Sequence, residues 1–201
     1  DPQRLAAYSG LMDAFVILGR LDSSVHYAET ARQIAPDNAG VRVQLGFLYL
    51  QAGARATART QLDTALLLDA GNPQAHKLLA LWLTQGQQID SALVVYRKVV
   101  ELDPRDVQAH NNIAYLLEGK AQYAEALEWY KTTKTLSSDP QLLHALNLNM
   151  EGIRAIMAGK MRARYILVSS QATCQEVADK IEAGEDFGEL AARFSIAPNA
   201  N

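Results

Sequence analysis

The chain has almost no cysteine. One residue in 201, Cys174, cannot form an internal disulfide or a cysteine-based metal site. There is no run of Lys or Arg either. The 19 basic residues are outnumbered by 22 acidic ones, for a net charge of −3, and nothing gathers the cations into a phosphate-binding stripe. Nucleic acid is therefore not an expected partner. No apolar stretch approaches the ~20 residues that a spanning helix needs, so membrane insertion is not expected. What remains, 49% hydrophobic and 20% charged, suits a soluble protein with a continuous core, cytoplasmic or periplasmic.

What the chain does have is a period. Blocks of 34 residues follow one another without an insertion, beginning at Leu5, Ala39, Pro73 and Val107. Position 7 of each is Leu11, Leu45, Leu79 and Ile113, and position 11 is Phe15, Tyr49, Leu83 and Leu117. Position 8 is Met12, Gly46, Ala80 and Ala114, and position 20 is Ser24, Ala58, Ala92 and Ala126. Position 32 reads Pro36, Ala70, Pro104 and Ser138. This is the pattern of two amphipathic helices per block, with small residues where the pair crosses and a proline to stop the second helix.

Over residues 5–138 the pattern resembles the tetratricopeptide repeat, most clearly in "PQAHKLLALWLTQGQQIDSALVVYRKVVELDP". The resemblance implies an all-α superhelix of four repeats (5–38, 39–72, 73–106 and 107–138) and a binding scaffold rather than a catalyst. Asp1-Pro2 falls on positions 31 and 32 of a preceding block, and the first helix carries Leu11, Phe15, Val16, Ile17 and Leu18. A terminal repeat ordinarily has a polar outer face, so at least one further repeat is expected before Asp1 in the parent protein.

Such arrays act through a concave face, to which positions 2, 5, 6, 9 and 12 of each first helix contribute. The resemblance therefore nominates Gln44, Phe47, Lys77, Leu81, Asn111, Asn112 and Tyr115 as the peptide-binding set. Phe47, Leu81 and Tyr115 would form an apolar strip flanked by the polar four. Amides can bond an extended peptide backbone in both directions, and aromatic faces bury side chains at little entropic cost. For Phe47 and Leu81, packing into neighbouring helices is an equal alternative. The carboxylate clamp by which some members grip acidic chaperone C-termini is not expected. Lys77 and Asn112 match it, but Leu81 stands where an Asn is needed and no third repeat follows in register.

No catalytic residue, cofactor or metal site is expected. His76 and His110 both occupy position 4 of their repeats, while His26 and His144 have no carboxylate or thiol at ligand spacing. Trp82 and Trp129 have the spacing of packing residues.

The register ends at 138. Asp139 and Pro140 open a further helix over Gln141–Ala158, with Gly159 as its stop, so 139–160 reads as a capping or connector helix, the alternative being the start of a degenerate fifth repeat. At Met161 the pattern changes: "RARYILVSS" is β-rich, and Gln171–Ser195 is helical with a break at Gly184. Gly184, Asp186, Phe187, Leu190, Ala191 and Ser195 match "G-x-D-F-x-x-L-A-x-x-x-S", which resembles the first half of a parvulin-type peptidyl-prolyl isomerase domain. That resemblance implies a small truncated α+β segment over 161–201. Tyr165 stands where the family's first strand carries histidine, and the chain reaches Asn201 before the family's second half, so catalysis by this chain is not expected. A lone strand at Tyr165–Val168 would leave two unpaired edges, which predicts self-association through that strand or through stacked repeats.

The expected function is a scaffold binding a peptide or protein partner in the concave groove. The alternative is the client-binding part of a repeat-fused parvulin-type isomerase or chaperone. A purely structural array is a third reading.

Overall fold

A 34-residue rhythm of small and large apolar residues demands helix after helix, and the computed structural model has that form. It describes residues 2–158 and, beyond them, 176, 177, 179, 180, 183–185 and 190. Among the described residues nine helices follow in order: α1 (Pro2–Ile17), α2 (Leu21–Ile34), α3 (Ala39–Gln51), α4 (Arg55–Leu68), α5 (Pro73–Gln85), α6 (Ile89–Leu102), α7 (Val107–Gly119), α8 (Tyr123–Leu136) and α9 (Pro140–Met157). The chain divides into two compact units, residues 1–138 and 139–201.

In the first unit the helices pair as α1/α2, α3/α4, α5/α6 and α7/α8, and each pair packs on the next. Three residues join the members of a pair. The middle residue of each joint has positive φ: Gly19 at 67°, Gly53 at 72°, Gln87 at 56° and Ala121 at 58°. Glycine adopts this left-handed geometry freely, whereas Gln87 and Ala121 hold it at about 1–2 kcal/mol.

Between pairs the joint is closed differently. The side chains of Asn38, Asn72 and Asp106 accept hydrogen bonds from the backbone N–H of Val41, Ala75 and Ala109, at 3.1, 2.9 and 2.8 Å. Each satisfies an N–H that the first turn of α3, α5 or α7 would leave without a partner, and contributes about 1 kcal/mol. The backbone geometry also repeats, with φ of −88°, −72° and −67° and ψ of 107°, 107° and 96°. The second helices α2, α4, α6 and α8 begin without a side-chain cap.

The core is built from the positions where the paired helices cross. Ser24, Ala58, Ala92 and Ala126 are fully buried, and Met12, Gly46, Ala80 and Ala114 are buried opposite them. The next turn of the second helix presents Ala28, Leu62, Tyr96 and Tyr130, all fully buried. Size is exchanged across the pair, since the large Met12 faces the small Ala28 and the absent side chain of Gly46 makes room for Leu62. The hydroxyl of Ser24 donates to the Met12 carbonyl at 2.9 Å, so the one polar residue at a crossing is satisfied.

Tryptophans join successive pairs. Trp82 of α5 donates its indole N–H to the Arg55 carbonyl of α4 at 2.8 Å, and Arg55 Nη2 returns a bond to the Trp82 carbonyl at 2.8 Å. The guanidinium carbons of Arg55 and Arg59 lie 4.8 and 5.1 Å from the Trp82 ring centre. Trp129 of α8 receives Arg97 of α6 at 5.6 Å, and Arg97 pairs with Glu125 at 2.6 Å. Cation–π contacts of this kind are worth about 0.5–2 kcal/mol.

In the second unit, Asp139 accepts from the backbone N–H of Gln141 at 2.9 Å and Pro140 occupies the first turn of α9. Leu146, Met150 and Ile153, spaced four and three apart, put its buried residues on one face.

The fold class expected for the C-terminal part is corrected. Glu176, Val177, Asp179, Lys180 and Leu190 are helical, Ala183 and Gly184 form a turn, and no strand occurs among the described residues. The described residues of this part are all-α or turn and show no α+β parvulin-like segment, so the parvulin-type reading of 161–201 is not supported. The proposed strand Tyr165–Val168 lies outside the described residues. The physical reason is general: preference for strand is a preference for a pleated neighbour, and no described element supplies one.

Candidate peptide-binding groove

Three depressions follow one another along α1 and α3. The first, of ≈ 300 Å³, has Met12, Val16, Ile17, Phe47 and Leu48 as its apolar wall, with Asp13, Ser24 and Gln44 as its polar atoms. A second, of ≈ 360 Å³, meets it at Gln44 and extends past Ser9 and Val43 to Asn72 and Gln74. The third, of ≈ 250 Å³, shares Val16 and Phe47 with the first and runs to Gly19, Leu21 and Gln51. Together they make a continuous furrow. Its floor exists because the crossing positions Met12 and Ser24 are buried between α1 and α2, leaving Phe47 to lean across from α3.

The nominated residues do not share one environment. Gln44 and Phe47 line the furrow, and Phe47, half-buried, also packs against the cores of the first and second pairs. Leu81 is 37% exposed and Tyr115 is 64% exposed. Asn111 is half-buried. Lys77 is not a free cation: its ammonium pairs with the cap residue Asp106 at 2.7 Å, both groups being largely buried. Asn112 donates from Nδ2 to the Tyr96 hydroxyl at 3.1 Å, which ties it to α6. Burial pushes the Tyr96 phenol above its usual range, against the opposing pull of its hydrogen bonds.

Met12, Asp13, Val16, Ile17 and Leu48 were not among the nominated residues, although they complete the furrow. The signal was present: Asp13, Val16 and Ile17 stand at positions 9, 12 and 13 of the first block, and α1 carries more apolar surface than its neighbours cover. Ile17 is 85% exposed and Leu18 is also exposed.

The charges of the surface are mostly engaged. At the groove positions of α1, α3, α5 and α7 the charged residues are Asp13, Lys77 and Glu118. Lys77 is paired as above, and Glu118 accepts from the Tyr130 hydroxyl at 2.8 Å. Asp13 is exposed and makes no hydrogen bond or ion pair among the described residues.

Two of the four histidines bond backbone carbonyls. His76 Nε2 lies 3.0 Å from the Ala70 carbonyl and His110 Nδ1 lies 2.9 Å from the Asp106 carbonyl, with the nitrogen donating in each. No cluster of three or more potential metal ligands occurs among the described residues, and none of their helices is long and apolar enough to cross a membrane.

Comparison with known proteins agrees with this architecture. Family models described as Tetratricopeptide repeat and TPR repeat match residues 15–81 and 82–120. The Bos taurus BBSome complex member BBS4 is 28% identical over 142 residues, 70% of this chain. The chain spans 27% of that protein's length. MamA 41-end from Desulfovibrio magneticus RS-1 superposes with a TM-score of 0.61 at 18% identity, over 79% of this chain and 93% of its own. The first TPR of Spaghetti (RPAP3), solved bound to the HSP90 peptide SRMEEVD, gives 0.56 at 18% identity, over 60% of this chain and 96% of its own. At these identities the two structures share the fold.

Proposed function

The chain belongs to the tetratricopeptide repeat family, and we propose that this protein-interaction scaffold holds a peptide segment of its partner in the furrow along α1 and α3. The observation that carries the reading is the furrow itself, a continuous line of apolar depressions bordered by side-chain amides and hydroxyls. Apolar walls bury a peptide's side chains, while Gln44, Asn72 and Gln74 bond its backbone. The exposed Leu81 and Tyr115 extend the surface along the later first helices.

Selection of a random peptide library on the purified 201-residue chain tests this. Selected peptides should lose binding to Phe47→Asp and keep it with Val94→Glu, a change on the exposed side of α6. Peptides that bind both variants equally would place the interaction elsewhere. Failure to select any peptide would refute the groove reading.

A further inference from the structure

Of the surfaces on this molecule, the furrow's charge balance goes furthest. Its ≈ 300 Å³ chamber sits at the small end of ligand pockets, about 300–1,000 Å³, which suits a large side chain better than a cofactor. The wall offered to that side chain is apolar on both sides, Met12, Val16 and Ile17 from α1 and Phe47 from α3. At the chamber's edge stands Asp13, exposed and unengaged. The one basic residue among the groove positions, Lys77, is neutralised by Asp106.

We propose that the furrow selects a basic–apolar peptide segment, with one large apolar side chain seated in the chamber and a Lys or Arg immediately beside it meeting Asp13. This deepens the groove reading and rests on it. An acidic segment is disfavoured for a physical reason: its carboxylates would meet Asp13 and find no cation released from its own partner. Freeing Lys77 would strand Asp106, which is nine-tenths buried at its side chain and also caps α7. Like charges set close across an interface act mainly as a filter against wrong partners.

The test uses the full chain and three labelled peptides: one with alternating Leu, Phe and Lys, the same peptide with Glu for every Lys, and SRMEEVD. Fluorescence anisotropy at low salt should show the basic peptide binding most tightly. Asp13→Lys should weaken the basic peptide by about tenfold and Asp13→Asn by about threefold, as expected for reversing and removing one rim charge respectively. Asp13 is exposed, so both variants should keep the helical circular dichroism of the parent. Binding of all three peptides with equal strength, or a basic preference indifferent to Asp13→Lys, would overturn the charge proposal while leaving the groove reading intact. Binding of none would refute both. Dimerisation on sedimentation that Val16→Glu abolishes, with no peptide bound, would assign the furrow to a second copy and likewise overturn the proposal.

Discussion

Gly46 is the smallest residue at any helix crossing, and replacing it tests how the array is packed. A methyl group there would lie 2.6 Å from Leu62 Cδ2 and 2.8 Å from its Cγ. Contacts between carbons are favourable at about 3.5–4.0 Å, so Leu62 must retreat by roughly 1 Å. It has nowhere to go, being 0% exposed and enclosed by Ala58, Ala65, Ala75 and Leu78. Such overpacking costs about 1–3 kcal/mol. Against it stands the helix propensity of alanine over glycine, a gain of about 1 kcal/mol. Gly46→Ala should therefore destabilise the protein by about 1 kcal/mol, although the same change at most exposed helical glycines stabilises. Leu62→Ala alone should cost about 2–5 kcal/mol. In that background the obstruction is gone, and Gly46→Ala should stabilise by about 1 kcal/mol. The double-mutant cycle predicts a coupling of about 2 kcal/mol, read by urea unfolding followed by far-ultraviolet circular dichroism. If Gly46→Ala stabilises both backgrounds equally, the residue is not small because of Leu62, and the size exchange described above is wrong.

Three further outcomes can be checked. Gln87→Gly and Ala121→Gly should each raise stability by about 0.5–1 kcal/mol by relieving positive φ, whereas Gly53→Ala should lower it by about 1 kcal/mol, all read from thermal melts. Asp106→Asn should keep the cap, as Asn38 and Asn72 do, but leave the largely buried Lys77 ammonium without its carboxylate, for a cost of about 3 kcal/mol. Asp106→Ala loses both and should cost about 4 kcal/mol in urea. Burial, the larger cause, and the bond to Glu29 raise the Tyr49 phenol, and burial raises that of Tyr96. Their protons are held more tightly in the folded state, so this contribution to stability is complete below pH about 10 and declines as pH rises through the folded pKa values. Absorbance titration at alkaline pH should show a late-ionising fraction that Tyr96→Phe diminishes.

The repeat architecture was readable because it rests on residues that cannot be otherwise. Small side chains at Ser24, Ala58, Ala92 and Ala126, and stops at Pro36 and Pro104, impose paired helices whatever the rest of the block contains. The site was less readable because its members are decided by partners in other blocks. Lys77 stands at a groove position, yet its ammonium is taken by Asp106, a cap residue 29 positions away. Asn112 is likewise turned to Tyr96. The chamber beside Asp13 depends on how far Phe47 leans from α3, which no spacing reveals. The β-rich "RARYILVSS", on which the expected α+β segment rested, lies outside the described residues. Val, Ile and Tyr fit a pleated surface when one is present, and this chain offers none among its described residues.

The joints at Asn38, Asn72 and Asp106 share nearly one backbone geometry, so a block excised at one of them would meet the same angles if spliced in at another. Gene duplication could lengthen this protein in units of 34 residues without disturbing a turn. The constraint on growth lies at the seams instead: a block bearing Trp82 must follow one that supplies Arg55 and Arg59, and a block bearing Trp129 must follow one that supplies Arg97. Copies are interchangeable in their hinges and particular about their neighbours, so an added block would keep the turns but would have to bring matching seam residues.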